Sequence, residues 1–250
     1  MSEEFSRTEL LLGAPALERL RESRVAVFGV GGVGGYVTEA LARSGVGTLD
    51  LIDMDTVSVS NINRQIIAAH STIGRSKVEV MKERILDINP KAVVNTYFQF
   101  YLPECADDFP FAEYDYIVDA VDTVTAKLSL VEKAHSMNVP IISSMGAGNK
   151  LDPTRFKVAD IYDTKVCPLA KVMRRELKKR GVTTLKVVYS EEEPLTPMPP
   201  SPVPTDTTAG ASTDETAFLS KRRSTPGSIA FVPSVVGLIV AGEVIKDLIK

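Results

Sequence analysis

Between residue 24 and about residue 145, hydrophobic positions follow two alternating rhythms. Short apolar runs read as strands buried on both faces. Between them, apolar positions recur every three or four residues, the period of a helix packed on one side. RVAVF (24–28) leads into a helical stretch from about Gly32 to Ser44, closed by Gly45, and then into TLDLI (48–52). Val78, Val80, Met81, Ile85 and Leu86 mark a helix over 77–86. It stops before Asn89-Pro90, because a residue preceding proline is pushed out of helical geometry. Further strands are predicted at 93–98, 114–121 and 139–143, with a helix at about 125–137 between the last two. A helix over 15–22, entered through Pro15, precedes the first strand. Strands alternating with helices imply right-handed parallel crossovers. The predicted fold is therefore α/β: Rossmann-like and doubly wound, with a mostly parallel sheet and flanking helices.

The rhythm changes in the second part. Strands at 156–161 and 186–189 enclose a basic helix at about 168–180, so antiparallel C-terminal strands are expected. Residues 191–227 are rich in Pro, Ser and Thr and predict a mobile loop, since such composition buries too little apolar surface to order itself. The run at 229–245, IAFVPSVVGLIVAGEVI, is nearly all apolar. It is shorter than the roughly 20 residues of a membrane span and contains Pro233 and Glu243. It predicts a buried strand entry followed by a core helix. The expectation is one domain over 1–250, with a nucleotide-binding half at 24–145 and a substrate-binding and dimerisation half at 146–250.

Composition narrows the function classes. The chain of 250 residues is 44% hydrophobic and 24% charged, ordinary for a soluble enzyme. Its net charge of −3 argues against a DNA-binding protein and confines any RNA binding to a local basic patch. The two cysteines, Cys105 and Cys167, form no CxxC pair, so no zinc held by four cysteines of one chain is expected. Lone thiols and a polar N-terminus point to the cytoplasm, with peripheral membrane association through the apolar tail still compatible.

The chemistry is concentrated at strand ends. Gly29-Val-Gly31-Gly32-Val-Gly34 lies between a strand and a helix, where glycine lets backbone approach a nucleotide and the helix N-terminus faces phosphate. Asp53 stands at the end of the next strand, where an acid binds ribose hydroxyls, and Asp55 follows. This much fits NAD as well as ATP. The following Asn61-Ile-Asn63-Arg64-Gln65 and Lys77 favour a triphosphate, because cations offset charge spreading over phosphate oxygens when pyrophosphate leaves. Asp122, at a third strand end, is a candidate Mg2+ ligand, whereas Asp119 reads as structural. Lys171, Arg174, Arg175, Lys178 and Lys179 form a basic helix surface that could grip RNA phosphates or serve only as a solvated face.

FGVGGVGG, IDMDTVSVSNINRQ, GRSK and DAVDT together resemble the adenylation domain of the ubiquitin-activating superfamily. MGAGNKLDPT, DIYDTKVCPLAKVMRRELKKRG and PGSIAFVPSVVGLIVAGEVI extend the resemblance to the transfer-RNA threonylcarbamoyladenosine dehydratases. The resemblance implies ATP and Mg2+ as cofactors, adenylation of a threonyl carboxylate beside the anticodon, and ring closure by an internal nucleophile. It implies that Asp53 binds ribose, that Asn61 and Arg64 meet phosphates, that Lys77 stabilises pyrophosphate and that Asp122 serves the metal. It also implies that Arg7 reaches the partner site of a homodimer. A sulfur-relay protein is a candidate partner. The competing reading is an activator of a ubiquitin-like sulfur carrier, against which the missing zinc cysteines weigh. A catalytic Cys167 is not required by the dehydratase route.

Overall fold

The computed structural model describes residues 3–198 and 226–250. Seven strands form one sheet in the order β3-β2-β1-β4-β5-β7-β6. They are β1 (Arg24–Phe28), β2 (Thr48–Ile52), β3 (Val93–Tyr97), β4 (Tyr116–Asp119), β5 (Ile141–Ser144), β6 (Phe156–Asp160) and β7 (Lys186–Ser190). All neighbours run parallel except β6 and β7, which pair antiparallel. The doubly wound sheet and its antiparallel C-terminal pair match the sequence reading. From β1 the chain winds outward to β2 and β3, then crosses back to β4. The cleft between the ends of β1 and β4 is therefore the topological switch point, where α/β sheets bind ligands.

Helices α1 (Ser6–Leu12), α2 (Ala14–Glu22), α3 (Gly34–Arg43), α4 (Lys77–Ile88), α5 (Val124–Ser136), α6 (Pro168–Lys179) and α7 (Phe231–Leu248) flank the sheet. Whereas the edge strands β3 and β6 are partly open, the five inner strands are buried almost without interruption, as β1 shows with Val25, Ala26, Val27 and Phe28 all at 0% exposure. Such strands need cover on both faces. One face packs on α3, α4 and α7 and the other on α5 and α6.

The largest departures from the expected elements are at α1, at β4 and before α7. α1 was not anticipated; Gly13, at φ +82°, breaks it from α2. The strand expected at 114–121 is confined to Tyr116–Asp119. Residues 111–113 form a 3-10 turn before it, and the Asp119 carboxylate accepts from the Val121 N–H after it. Among the described residues, 226–230 before the C-terminal helix form no strand. Pro233 sits in the first turn of α7, where its missing N–H costs no intrahelical bond, so α7 starts directly at Phe231.

α7 buries Val232, Val236, Val240, Ala241 and Val244 completely. Each valine contributes roughly 1.5–3 kcal/mol of burial. Gly237 permits its close approach to α3: a Cβ there would lie 2.5 Å from the Val33 carbonyl oxygen. No described helix is long and apolar enough to cross a membrane. Most of the loop expected at 191–227 lies outside the described residues.

Candidate active site

β1 ends at Phe28 and the chain turns sharply into α3. Gly29 makes the turn at φ +91°, and a Cβ on it would lie 2.7 Å from the Ala120 carbonyl oxygen, so β4 closes against it. Gly34 has a different task from the one expected. Its Cβ would fall 1.8 Å from the Gly29 carbonyl oxygen, so Gly34 packs α3 onto the turn from behind and does not line the cavity. Gly31 is open: only Gln65 Nε2, at 3.8 Å, lies within reach of a Cβ there. A cavity of about 440 Å3 occupies this space.

The cavity gathers most of the predicted set. Gly29, Gly31 and Gly32 form one side, and Asp53 and Asp55 stand at the end of β2. Asn61, Arg64 and Gln65 come from the turn after β2, Lys77 from the start of α4, and Asp122 from the end of β4.

Asp53 ties the turn together. Its carboxylate accepts from the Val30 N–H and from the Asp55 N–H, each at 2.8 Å. Burial raises its pKa above the ordinary carboxylate range, against the opposing pull of Lys77 and these two N–H groups. Lys77 is 5% exposed. Its ammonium donates to Asp55 at 2.6 Å and lies 3.9 Å from Asp53. Asp55 is mostly exposed at 58%, so a buried lysine rests on a carboxylate that water also reaches.

Arg64 Nη1 donates to the Ser60 carbonyl and to Asn63 Oδ1, each at 2.9 Å. Asn61 Oδ1 accepts from the Ser58 N–H at 3.2 Å. Gln65 is 7% exposed, yet its Oε1 has no hydrogen-bond partner among the described residues. A buried orphan acceptor is costly unless something supplies a donor. Asp122 is exposed at the cavity and has no side-chain partner among the described residues.

Beneath Asp122 lies a group that the sequence reading left unassigned. Lys127, 1% exposed, donates to both oxygens of Asp119 at 3.1 Å, to Ser143 Oγ at 3.3 Å and to the Ser144 carbonyl at 2.7 Å. Ser143 also bonds Asp119. Asp119 is thus a structural carboxylate, as expected, and Lys127 is its partner. The signal was present: Lys127 shares one α5 face with Leu130, Val131 and Ala134, all buried, and a lysine on such a face demands a buried acid.

Arg7 and the α6 cations lie elsewhere. Arg7 is exposed on α1 and does not line the cavity. On α6, Ala170, Met173 and Leu177 face the core, and Lys171, Arg175, Lys178 and Lys179 face solvent. Arg174 is not part of that open face. It is half-buried and its guanidinium bonds the Thr164 carbonyl at 2.7 Å and the Thr164 hydroxyl. Glu176 draws Arg175, Lys179 and Arg180 toward itself, and hydrogen bonds from Lys179, Arg180 and Arg175 hold its carboxyl at about 2. Cys167, 2% exposed at the start of α6, presents no thiol to solvent.

The cavity suits a nucleoside triphosphate by its own chemistry. A glycine wall without Cβ atoms, an acid at the end of β2, a buried orphan acceptor and two cations converge on it. The described residues hold no group of three or more His, Cys, Asp or Glu able to cage a metal. A cation bound here would take most of its ligands from phosphates and water, with Asp122 as the available protein carboxylate.

The chain is similar to known proteins over nearly its whole length. The chain matches the ThiF family over residues 5–250. It is 46% identical to the tRNA threonylcarbamoyladenosine dehydratase of Bacillus subtilis over 251 aligned positions, covering 100% of this chain and 96% of that protein. The enzyme of the same name from Haemophilus influenzae is 37% identical, covering 94% and 89%. The solved structure of Escherichia coli tRNA N6-threonylcarbamoyladenosine dehydratase in complex with ATP superimposes with a TM-score of 0.85 at 31% identity, covering 98% of this chain and 93% of that one. Since the match runs unbroken from α1 through α7, this chain belongs to the ThiF family.

Proposed function

We propose that this chain dehydrates N6-threonylcarbamoyladenosine in transfer RNA, using ATP. The threonyl carboxylate attacks the α-phosphorus of ATP, pyrophosphate leaves, and an acyl adenylate forms. A nucleophile within the same modified nucleoside then attacks the acyl carbon and expels AMP, which closes a ring with net loss of water. The single observation carrying this reading is the cavity at the switch point, where Gly31, Asp53, Arg64, Lys77 and Asp122 meet.

The side chains have separable tasks. Asp53 holds the glycine turn and would accept from ribose hydroxyls. Lys77 and Arg64 offset charge on the phosphates as pyrophosphate departs, and Asn61 adds an amide donor. Asp122 would hold Mg2+, which supplies charge compensation between phosphates. Ring closure consumes no enzyme nucleophile, in keeping with a buried Cys167.

The exposed cations Lys171, Arg175, Lys178 and Lys179 form the RNA-facing surface of this reading. α6 begins beside the cavity: a Cβ on Gly146 would lie 3.9 Å from Leu169, and the following Ala147 and Gly148 line the cavity. A homodimer is supported by α1, where Leu10 and Leu11 are 89% and 82% exposed on the helix that carries Arg7. Arg7 would then complete the partner's phosphate site.

The test is incubation with ATP, Mg2+ and transfer RNA bearing the modification, followed by nucleoside mass spectrometry. The expected result is a product lighter by one water, with AMP and pyrophosphate formed in equal amounts. ATP–pyrophosphate exchange driven by a small carrier protein instead of RNA would reverse the assignment in favour of a sulfur-carrier activator.

A further inference from the structure

Asn63 lies next to Arg64 but does not line the cavity. We infer that Asn63 is a positioning residue for adenylation, fixing Arg64 against the backbone that leads into α7. Its Nδ2 donates to the Ser228 carbonyl at 2.9 Å, and its Oδ1 accepts from Arg64 Nη1 at 2.9 Å. One planar amide therefore joins the guanidinium to a segment far away in sequence.

That segment is firmly seated. The Gly227 N–H donates to Asn149 Oδ1 at 2.6 Å, and the Asn149 N–H donates to the Gly227 carbonyl at 2.8 Å. The Leu195 N–H donates to the Asn149 carbonyl at 2.8 Å. Asn149 adopts φ +57°, the left-handed region that asparagine tolerates best among residues with a side chain, and so serves two chain segments at once. Pro226 and Ser228 line the same cavity as Arg64. On the other side, a Cβ on Gly32 would lie 3.5 Å from Arg64 Cγ and 3.3 Å from Pro233 Cβ, so the arginine stem runs between the glycine turn and the first turn of α7.

An arginine has many rotamers, and one that must meet charge developing on a phosphoryl group acts best when its position is set beforehand. The Ser60 carbonyl and Asn63 both accept from Nη1, and Asn63 ties that contact to the backbone before α7. This inference rests on the phosphate-facing role given to Arg64 above.

The experiment compares Asn63→Ala, Arg64→Ala and the double variant in the full dehydration assay, alongside ATP titration and thermal unfolding. Asn63→Ala is expected to lower kcat about tenfold while KM for ATP stays within about twofold. Because Asn63 is exposed, its unfolding midpoint should move by no more than about 2 °C. The double variant should be no slower than Arg64→Ala, since Asn63 acts only through the arginine. Unchanged kcat in Asn63→Ala, or a double variant slower than Arg64→Ala, overturns the inference. Unchanged turnover in Arg64→Ala would instead remove the phosphate-site reading itself, and this inference with it.

Discussion

Lys77 and Lys127 are both buried, at 5% and 1% exposure, and both stand on helices that follow a strand of the same sheet. Their surroundings are opposite. Lys127 donates to Asp119, Ser143 and Ser144, so its three protons are spoken for inside the protein. Lys77 makes one close bond, to an exposed carboxylate at the edge of a cavity. Burial alone does not make a lysine functional. A cation with donors left over, facing space that a ligand can fill, is available for chemistry, whereas a saturated one holds the fold.

The largest effect should come from breaking the saturated pair. Lys127→Ala leaves Asp119 as an unpaired buried charge and should cost about 3–5 kcal/mol of stability, read by urea unfolding. Replacing both partners, Asp119→Leu with Lys127→Met, should be markedly less harmful than the single change. If the single variant is as stable as the parent, saturation of its donors is not what sets Lys127 apart from Lys77.

Lys77→Ala should do the reverse. Stability should fall less than in Lys127→Ala, because the bonded partner Asp55 is open to water, while adenylation should slow by about 10²–10³-fold as charge stabilisation at the phosphates disappears. A variant that unfolds early yet adenylates normally would place Lys77 with Lys127.

On α6, the pairing with Glu176 offers a finer version of the same comparison. The double charge reversal of Lys171 and Lys178, cations without a side-chain partner among the described residues, should weaken RNA binding about tenfold at low salt. The difference should fade as salt rises. Arg174→Ala should instead lower the unfolding midpoint and leave the salt dependence of RNA binding intact, because its guanidinium is committed to Thr164.

The smallest effect concerns Asp247 at the end of α7. Burial pushes its carboxyl up, but hydrogen bonds from Lys186, Lys250 and Tyr116 outweigh this and hold it at about 2. A depressed carboxyl contributes stability above its unfolded pKa, near 3.9, and loses it as pH falls through the folded value. Asp247→Asn should therefore lower the unfolding midpoint by a few degrees at pH 7. The gap to the parent should close between about pH 4 and pH 2. A gap that persists at pH 2 would mean the aspartate acts by shape and not by charge.

Much of this molecule was legible in its sequence, for local reasons. Apolar runs of strand length and helical periodicities are written residue by residue, so the doubly wound sheet and most element bounds follow from them. Gly29, Gly31 and Asp53 fall at fixed offsets from strand ends, and the sheet's topology carries such ends to one cleft. What depended on distant neighbours was decided by the tertiary structure alone. Gly34 faces a carbonyl behind the turn and not the ligand side, because α3 packs there. Arg174 bends back to Thr164, a partner ten residues away that no helical spacing reveals. Lys127 finds Asp119 and Ser143 only once β4, β5 and α5 are stacked, and Asn63 meets Ser228 only when the chain returns to start α7. Periodicity tells a residue which way to face; the partner it meets there is set by how separate elements pack.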